Sequence, residues 1–225
     1  ARTSQVGRPV TQFRNDQPVV QMILRSKLQG TKIFVISQPK AGTYLCANIL
    51  NELGFVFCGM HMGEKKFEVY PAPSSKKYAR AMKKLIFARP INFEHRVPLA
   101  KSIRGILPGQ YAVGHLVHNK ANQSILKKIK KIMLTRPIDE ILVSVQKWDK
   151  HTQRKVSNLE TMKDRCAKIE PWMQDPEVFH MTFDQMKIDA GRINQLQKFL
   201  GIKKKHDSAE VIKQALSKPS MTKIT

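Results

Sequence analysis

Lys40 sits in the turn Ser37-Gln38-Pro39-Lys40-Ala41-Gly42-Thr43, directly behind the apolar β-type run Ile33-Phe34-Val35-Ile36 and directly ahead of a helix-patterned segment. A buried strand that feeds a short Pro/Gly turn and then a helix N-terminus is a geometry that binds phosphate. The first helical turn has N–H groups without intrahelical acceptors, and the helix dipole favours an anion there. Lys40 adds a mobile positive charge at the same point, beside the amides of Ala41, Gly42, Thr43 and Tyr44. The loop is not of the Walker A kind, which needs GxxxxGK(S/T) with the lysine after the second glycine. Here the lysine precedes the only glycine, and the turn is too short to wrap a β,γ-phosphate pair. It suits a nucleotide with a compact 5′ group. The competing reading of the same residues is an ordinary strand–turn–helix with an exposed lysine.

Two further polar residues lie just past a strand end. His115 follows Tyr111-Ala112-Val113-Gly114, and Arg136 follows Lys131-Ile132-Met133-Leu134-Thr135. In a parallel sheet, ligands bind beyond the carboxyl ends of the strands, so Lys40, His115 and Arg136 can face one crevice. The duller possibilities are a satisfied core histidine and an arginine paired with Asp139 or Glu140. His115 and His118 could also pair as metal ligands, but no acidic or Cys partner lies nearby in sequence.

The elements that must position these residues alternate along the chain. Residues 1–30 form a lead-in with a short helical piece near Val19–Leu28. Thr43–Leu53 is helical, with Leu45, Ile49, Leu50 and Leu53 on one face. Phe55–Cys58 is a short strand, and Gly59–Ser75, broken by Pro71 and Pro73, reads as a loop and possible lid in which Met60 and Met62 line a pocket or pack beneath. Ser75–Phe87 is a basic helix, and Pro90–Pro108 is irregular with a short helix around Leu99–Ile106. Asn119–Lys130 and the Pro137-opened segment to Lys150 are helical. Asn158–Met173 is a further helix, and Glu177–Thr182 is a strand. Asp184 caps a helix that stops at Gly201, and Asp207–Leu216 is the last helix. Trp148 and Trp172 read as core. This alternation predicts an α/β fold: a mostly parallel central sheet with helices on both faces.

Composition bounds the rest. At 225 residues, with 41% hydrophobic and 25% charged content, the chain reads as one soluble globular domain over 1–225. It contains no apolar run of the ~18 residues a membrane span needs, and no signal-peptide core is visible. Cys46, Cys58 and Cys166 are an odd set without metal spacing, and read as reduced thiols in a cytoplasmic protein.

Charge is the second strong signal. Forty Lys+Arg against 17 Asp+Glu give a net +23. Between Val69 and Ile138 there are 15 basic residues and one acidic residue, Glu94. Such a field concentrates anions. Nucleic acid is the usual inference, but no helix-turn-helix, RNA-binding or zinc signature accompanies it. A multiply anionic nucleotide or an acidic acceptor such as a sulfated glycan fits equally well. Lys76, Lys77, Arg80, Lys83 and Lys84 make either a solvated helix face or an acceptor-binding patch.

Four segments, in order, resemble the sulfotransferases that use 3′-phosphoadenosine 5′-phosphosulfate (PAPS). PKAGTYL (39–45) resembles their 5′-phosphosulfate loop. YAVGHL (111–116) looks like the strand that carries their catalytic histidine. IMLTRPIDEILVS (132–144) is similar to their 3′-phosphate element, with Arg136 ending a strand and Ser144 eight residues later on the helix. FHMTFDQMKIDAGRINQLQKFLGI (179–202) resembles their segment that ends in FLGI. The likeness covers roughly 32–202. It also departs in places. Pro137 directly follows Arg136, where the family's proline falls two residues later. Phe183 stands where tyrosine is common, no tryptophan follows the first loop to stack adenine, and no Gly-rich cofactor-covering segment is read near Ser220–Lys223.

The resemblance implies a P-loop-like sulfotransferase fold and in-line transfer of a sulfuryl group from PAPS to an acceptor hydroxyl. Lys40 with the loop amides would neutralise the leaving phosphate, His115 would take the proton, and Arg136 and Ser144 would hold the 3′-phosphate, with no metal expected. The acceptor, acidic or carbohydrate, would meet the 59–106 region. Two alternatives remain at this point: a small-molecule kinase, which lacks an evident Mg²⁺-binding Asp after a strand, and a non-catalytic nucleic-acid-binding module.

Overall fold

The computed structural model describes residues 30–69, 93–151, 156–203 and 205–218. Its strands are β1 (Ile33–Ser37), β2 (Val56–Met62), β3 (Phe67–Val69), β4 (Phe93–His95), β5 (Gln110–Gly114), β6 (Lys130–Thr135) and β7 (Val178–Thr182). Between and after them run α1 (Thr43–Glu52), α2 (Leu99–Ser102), α3 (Lys120–Leu126), α4 (Ile138–His151), α5 (Leu159–Ile169), α6 (Phe183–Ile188), α7 (Ala190–Leu200) and α8 (Ser208–Ser217). The sheet order is β4-β3-β2-β5-β1-β6-β7. The five strands from β2 to β7 in that order are parallel, and β3 and β4 add an antiparallel edge. The mostly parallel α/β sheet expected from the alternation is therefore present.

β1 lies at the centre, and all five of its residues are buried. Ile33 and Val35 pack against α1, α7 and α8 through Ile49, Leu50, Leu196 and Ile212. Phe34 and Ile36 pack on the other face with Leu99, Ile103, Leu126 and Trp172. Burial on both faces is the physical reason this strand reads as an uninterrupted apolar run. Trp172 is core as expected, its indole N–H donating to the Leu116 carbonyl at 2.9 Å.

Several expectations need correction. The strand expected at Phe55–Cys58 runs on to Met62, because Gly59 (φ 82°) and two extra residues between Phe57 and His61 form a bulge that lets pairing resume on β5. The first part of the expected 59–75 loop is thus the end of β2 and a hairpin into β3, not a lid. Met62 is fully buried in the second core cluster, and Met60 packs against that cluster. Within the 59–106 region, β4 interrupts the stretch expected to be irregular, while the short helix expected around Leu99–Ile106 is present as α2 followed by a 3-10 turn over Ile103–Gly105. The expected helix at Asn119–Lys130 stops at Leu126, because Lys130 already donates to the Lys32 carbonyl and opens β6. The single helix expected from Asp184 to Gly201 is two. Thr182 and Gln185 form a capping box for α6, and Asp189 starts α7 by accepting from the Arg192 amide. Asp184 caps neither helix and pairs instead with Lys187. The helices expected near 19–28 and 75–87 lie outside the described residues. No helix among the described residues is long and apolar enough to cross a membrane.

Candidate functional site

The flanking strands make the site. Ile36 of β1 pairs with Gly114 of β5 on one side and Met133 of β6 on the other. The segments after β5, β1 and β6, which carry His115, Lys40 and Arg136, therefore emerge side by side at one sheet edge.

The phosphate-type turn is tight and specifically built. Gln38 donates its amide to the Leu134 carbonyl, and Ala41 closes the turn onto the Gln38 carbonyl at 3.2 Å. Lys40 holds a left-handed backbone, φ 58°, which is uncommon for a residue with a Cβ. Gly42 follows at φ 92° and caps α1, whose first turn carries no acidic side chain to neutralise its dipole. A Cβ on Gly42 would lie 2.4 Å from Phe183 Cδ2 and 2.9 Å from Met186 Cε. Left-handed strain of ~1–2 kcal/mol and overpacking of ~1–3 kcal/mol then act together. Gly42→Ala is expected to lower stability by about 2–5 kcal/mol, read as a lower urea midpoint.

His115 is exposed and joined to this turn. Its Nδ1 lies 2.6 Å from the Ser37 carbonyl oxygen and 3.3 Å from Ser37 Oγ, which in turn meets Thr43 Oγ1 at 2.9 Å. A carbonyl only accepts, so in the neutral ring Nδ1 carries the proton and Nε2 is the basic nitrogen. Thr43 is the first residue of α1 and is tied to Ser37 through its hydroxyl. Gly114, just before the histidine, lies against β2 so closely that a Cβ would fall 2.1 Å from the Met62 carbonyl oxygen.

Sequence reasoning missed His61. Its ring meets that of His115 at 5.0 Å between centroids and 63°. The bulge in β2 brings it there, opposite Val113. Burial pushes His61 down to about 3, and positive charge on His115 acts in the same direction. Its folded value is thus below the ~6.5 of an unfolded histidine. The stability it contributes is complete above about pH 6.5 and is lost as pH falls toward 3. The thermal midpoint is expected to drop across that interval, and to drop less in His61→Gln. An equal slope in both proteins would contradict this assignment.

Arg136 closes the other side. Its amide donates to Gln38 Oε1 at 3.2 Å, and Nη1 approaches the Lys40 carbonyl at 3.4 Å. The guanidinium lies 4.3 Å over the Phe183 ring, so the residue that stands where tyrosine is common is the floor under Arg136. Nε pairs with Glu140 at 2.7 Å, the pairing anticipated as the duller possibility. A partly exposed i,i+4 pair of this kind contributes only about 0.3–0.5 kcal/mol. Arg136, Glu140, Ser144 and Lys147 line one open cleft of about 390 Å³, which brings the arginine and the serine together. A separate cavity under α1, lined by Ala47, Asn51, Phe57 and Tyr111, measures about 20 Å³ and holds one water at most.

Trp148, expected in the core, is half-buried on α4, and the Lys40 ammonium sits 4.0 Å from its ring centroid. No sequence spacing signalled that contact. Cys46 and Cys58 are pushed by burial up to about 12 and about 11, which keeps both thiols protonated. Among the described residues no group of three or more His, Cys, Asp or Glu side chains is arranged to hold a metal.

Sheet order and crevice together define an α/β domain with a mostly parallel sheet and a crevice beyond the carboxyl ends of β1, β5 and β6. Among solved structures, the chain is similar to retinol dehydratase in complex with androsterone and the inactive cofactor PAP, with a TM-score of 0.50 and 13% identity over 83% of this chain. It spans 64% of that protein's length, and the likeness is one of fold. Retinol dehydratase with retinol and PAP aligns at a TM-score of 0.49 and 16% identity, over 88% of this chain and 69% of that one. No family model matches the chain, and no curated protein matches it in sequence.

Proposed function

We propose that this chain transfers a sulfuryl group from PAPS to an acceptor hydroxyl. The observation that carries the reading is the gathering of Lys40, His115 and Arg136 at the ends of the adjacent strands β1, β5 and β6. The complex of a protein of like fold with PAP, the nucleotide left when PAPS gives up its sulfuryl group, supports the choice of co-substrate.

The acceptor oxygen attacks sulfur in line. Its bond to sulfur forms as the bond from sulfur to the 5′-phosphate oxygen breaks, and PAP leaves with the added negative charge. Lys40 and the amides of Ala41, Gly42, Thr43 and Tyr44 stabilise that charge, so the residues themselves supply what a metal would. The acceptor proton passes to His115 Nε2, with the Ser37 carbonyl holding the tautomer. Arg136 and Ser144 hold the 3′-phosphate from the cleft on α4. The positive field favours an acidic acceptor, a carbohydrate among them, approaching from the β2–β4 side. A cytoplasmic setting belongs to this reading, supported by three cysteines outside any disulfide.

Calorimetry tests the proposal. A second phosphate engaged by Arg136 adds charge-assisted hydrogen bonds of ~1.5–3 kcal/mol, so PAP is expected to bind about 10- to 100-fold more tightly than AMP. Arg136→Ala removes the difference. Equal affinity of the unmodified chain for PAP and AMP ends the reading.

A further inference from the structure

We infer that Trp148 is the positioning residue of Lys40: its indole face docks the lysine ammonium at the crevice until a nucleotide phosphate draws it off. The inference rests on the sulfuryl-transfer reading and deepens it.

The geometry is specific. Lys40 Nζ stands 4.0 Å from the Trp148 ring centroid. Trp148 lies one helical turn beyond Ser144 on α4, so the two share a helix face beside the cleft that Arg136 lines. The backbone of Lys40 is held independently of its side chain. Its left-handed φ of 58° belongs to the turn, and Arg136 Nη1 approaches its carbonyl at 3.4 Å. The side chain is therefore the part that moves. In its docked position the ammonium rests on Trp148 of α4, the helix that would hold the 3′-phosphate. A cation over an indole face is held more weakly than one hydrogen-bonded to a phosphate oxygen. An arriving phosphate thus captures Lys40, and the ring takes it back when PAP departs. The dock also keeps a long, rotamer-rich side chain near its working position, which reduces the ordering that nucleotide binding must impose.

The chain carries its own reporter. Its other tryptophan, Trp172, is fully buried, and its N–H is bonded to the Leu116 carbonyl, so its emission should not respond. Tryptophan fluorescence titrated with PAP, alongside calorimetry on the same protein, tests the idea. Emission is expected to shift with the calorimetric midpoint in the unmodified chain. Trp148→Phe should still bind PAP while losing the shift. Lys40→Met should show PAP-bound-like emission before any nucleotide is added. If PAP binds by calorimetry but emission stays constant, or if the shift survives in Trp148→Phe, the dock is disproved while the sulfuryl-transfer reading stands. If PAP does not bind at all, both fall.

Discussion

His115→Asn is expected to slow sulfuryl transfer from PAPS by about 10²–10⁴-fold, the usual contribution of a positioned general base. The substitution is chosen for its geometry. An asparagine amide can still donate to the Ser37 carbonyl that Nδ1 contacts at 2.6 Å, so the end of β5 keeps its tie to β1. The basic nitrogen on the far side of the ring is lost. The loss should fall on kcat rather than on PAP affinity, because the proton moves only as the acceptor oxygen attacks. A loss smaller than tenfold would assign the base elsewhere. His61 would not qualify by proximity alone, since burial keeps it neutral and far from the usual histidine range.

The second large effect is on the leaving side. Lys40→Ala is expected to reduce the single-turnover rate by about 10²–10³-fold, comparable to removal of one donor from a preorganised anion-stabilising site. Charge develops on the phosphate oxygen only as the S–O bond breaks, so the effect is larger in the transition state than in the bound ground state. PAP, which already carries that charge, should lose affinity, and the kcat term should fall further than binding. Lys40→Arg should not restore the rate. The guanidinium is planar and wider, and the turn from Gln38 to Gly42 is closed by the Ala41–Gln38 bond and wedged against Phe183 through Gly42. Unchanged turnover in Lys40→Ala would mean that the turn is structural only.

These effects meet at one place because of strand order. β1 is bracketed by β5 and β6, its neighbours in space although β2, β3 and β4 intervene in sequence between β1 and β5. The two halves of the proposed nucleotide site accordingly belong to different segments. The Lys40 turn and α1 form one half, and the end of β6 with α4 forms the other. Phe183, at the start of α6, contacts both through Gly42 and Arg136. Substitutions at Phe183 should therefore disturb both phosphate positions together.

By itself, the amino-acid sequence determined what is local. The run Ile33–Ile36 had to be a doubly buried strand, the Pro39–Gly42 turn had to lead into α1, and His115 and Arg136 had to stand just past strand ends, because each depends on residues a few positions apart. Tertiary structure alone decided the rest. It set the β5-β1-β6 adjacency that closes the crevice, the two-residue bulge that carries His61 to His115, the packing of the α6 N-terminus that puts Phe183 under Arg136, and the docking of α4 that brings Trp148 to Lys40. Those contacts join segments far apart in the chain. Their energies come from packing and register, which no window of neighbouring residues encodes.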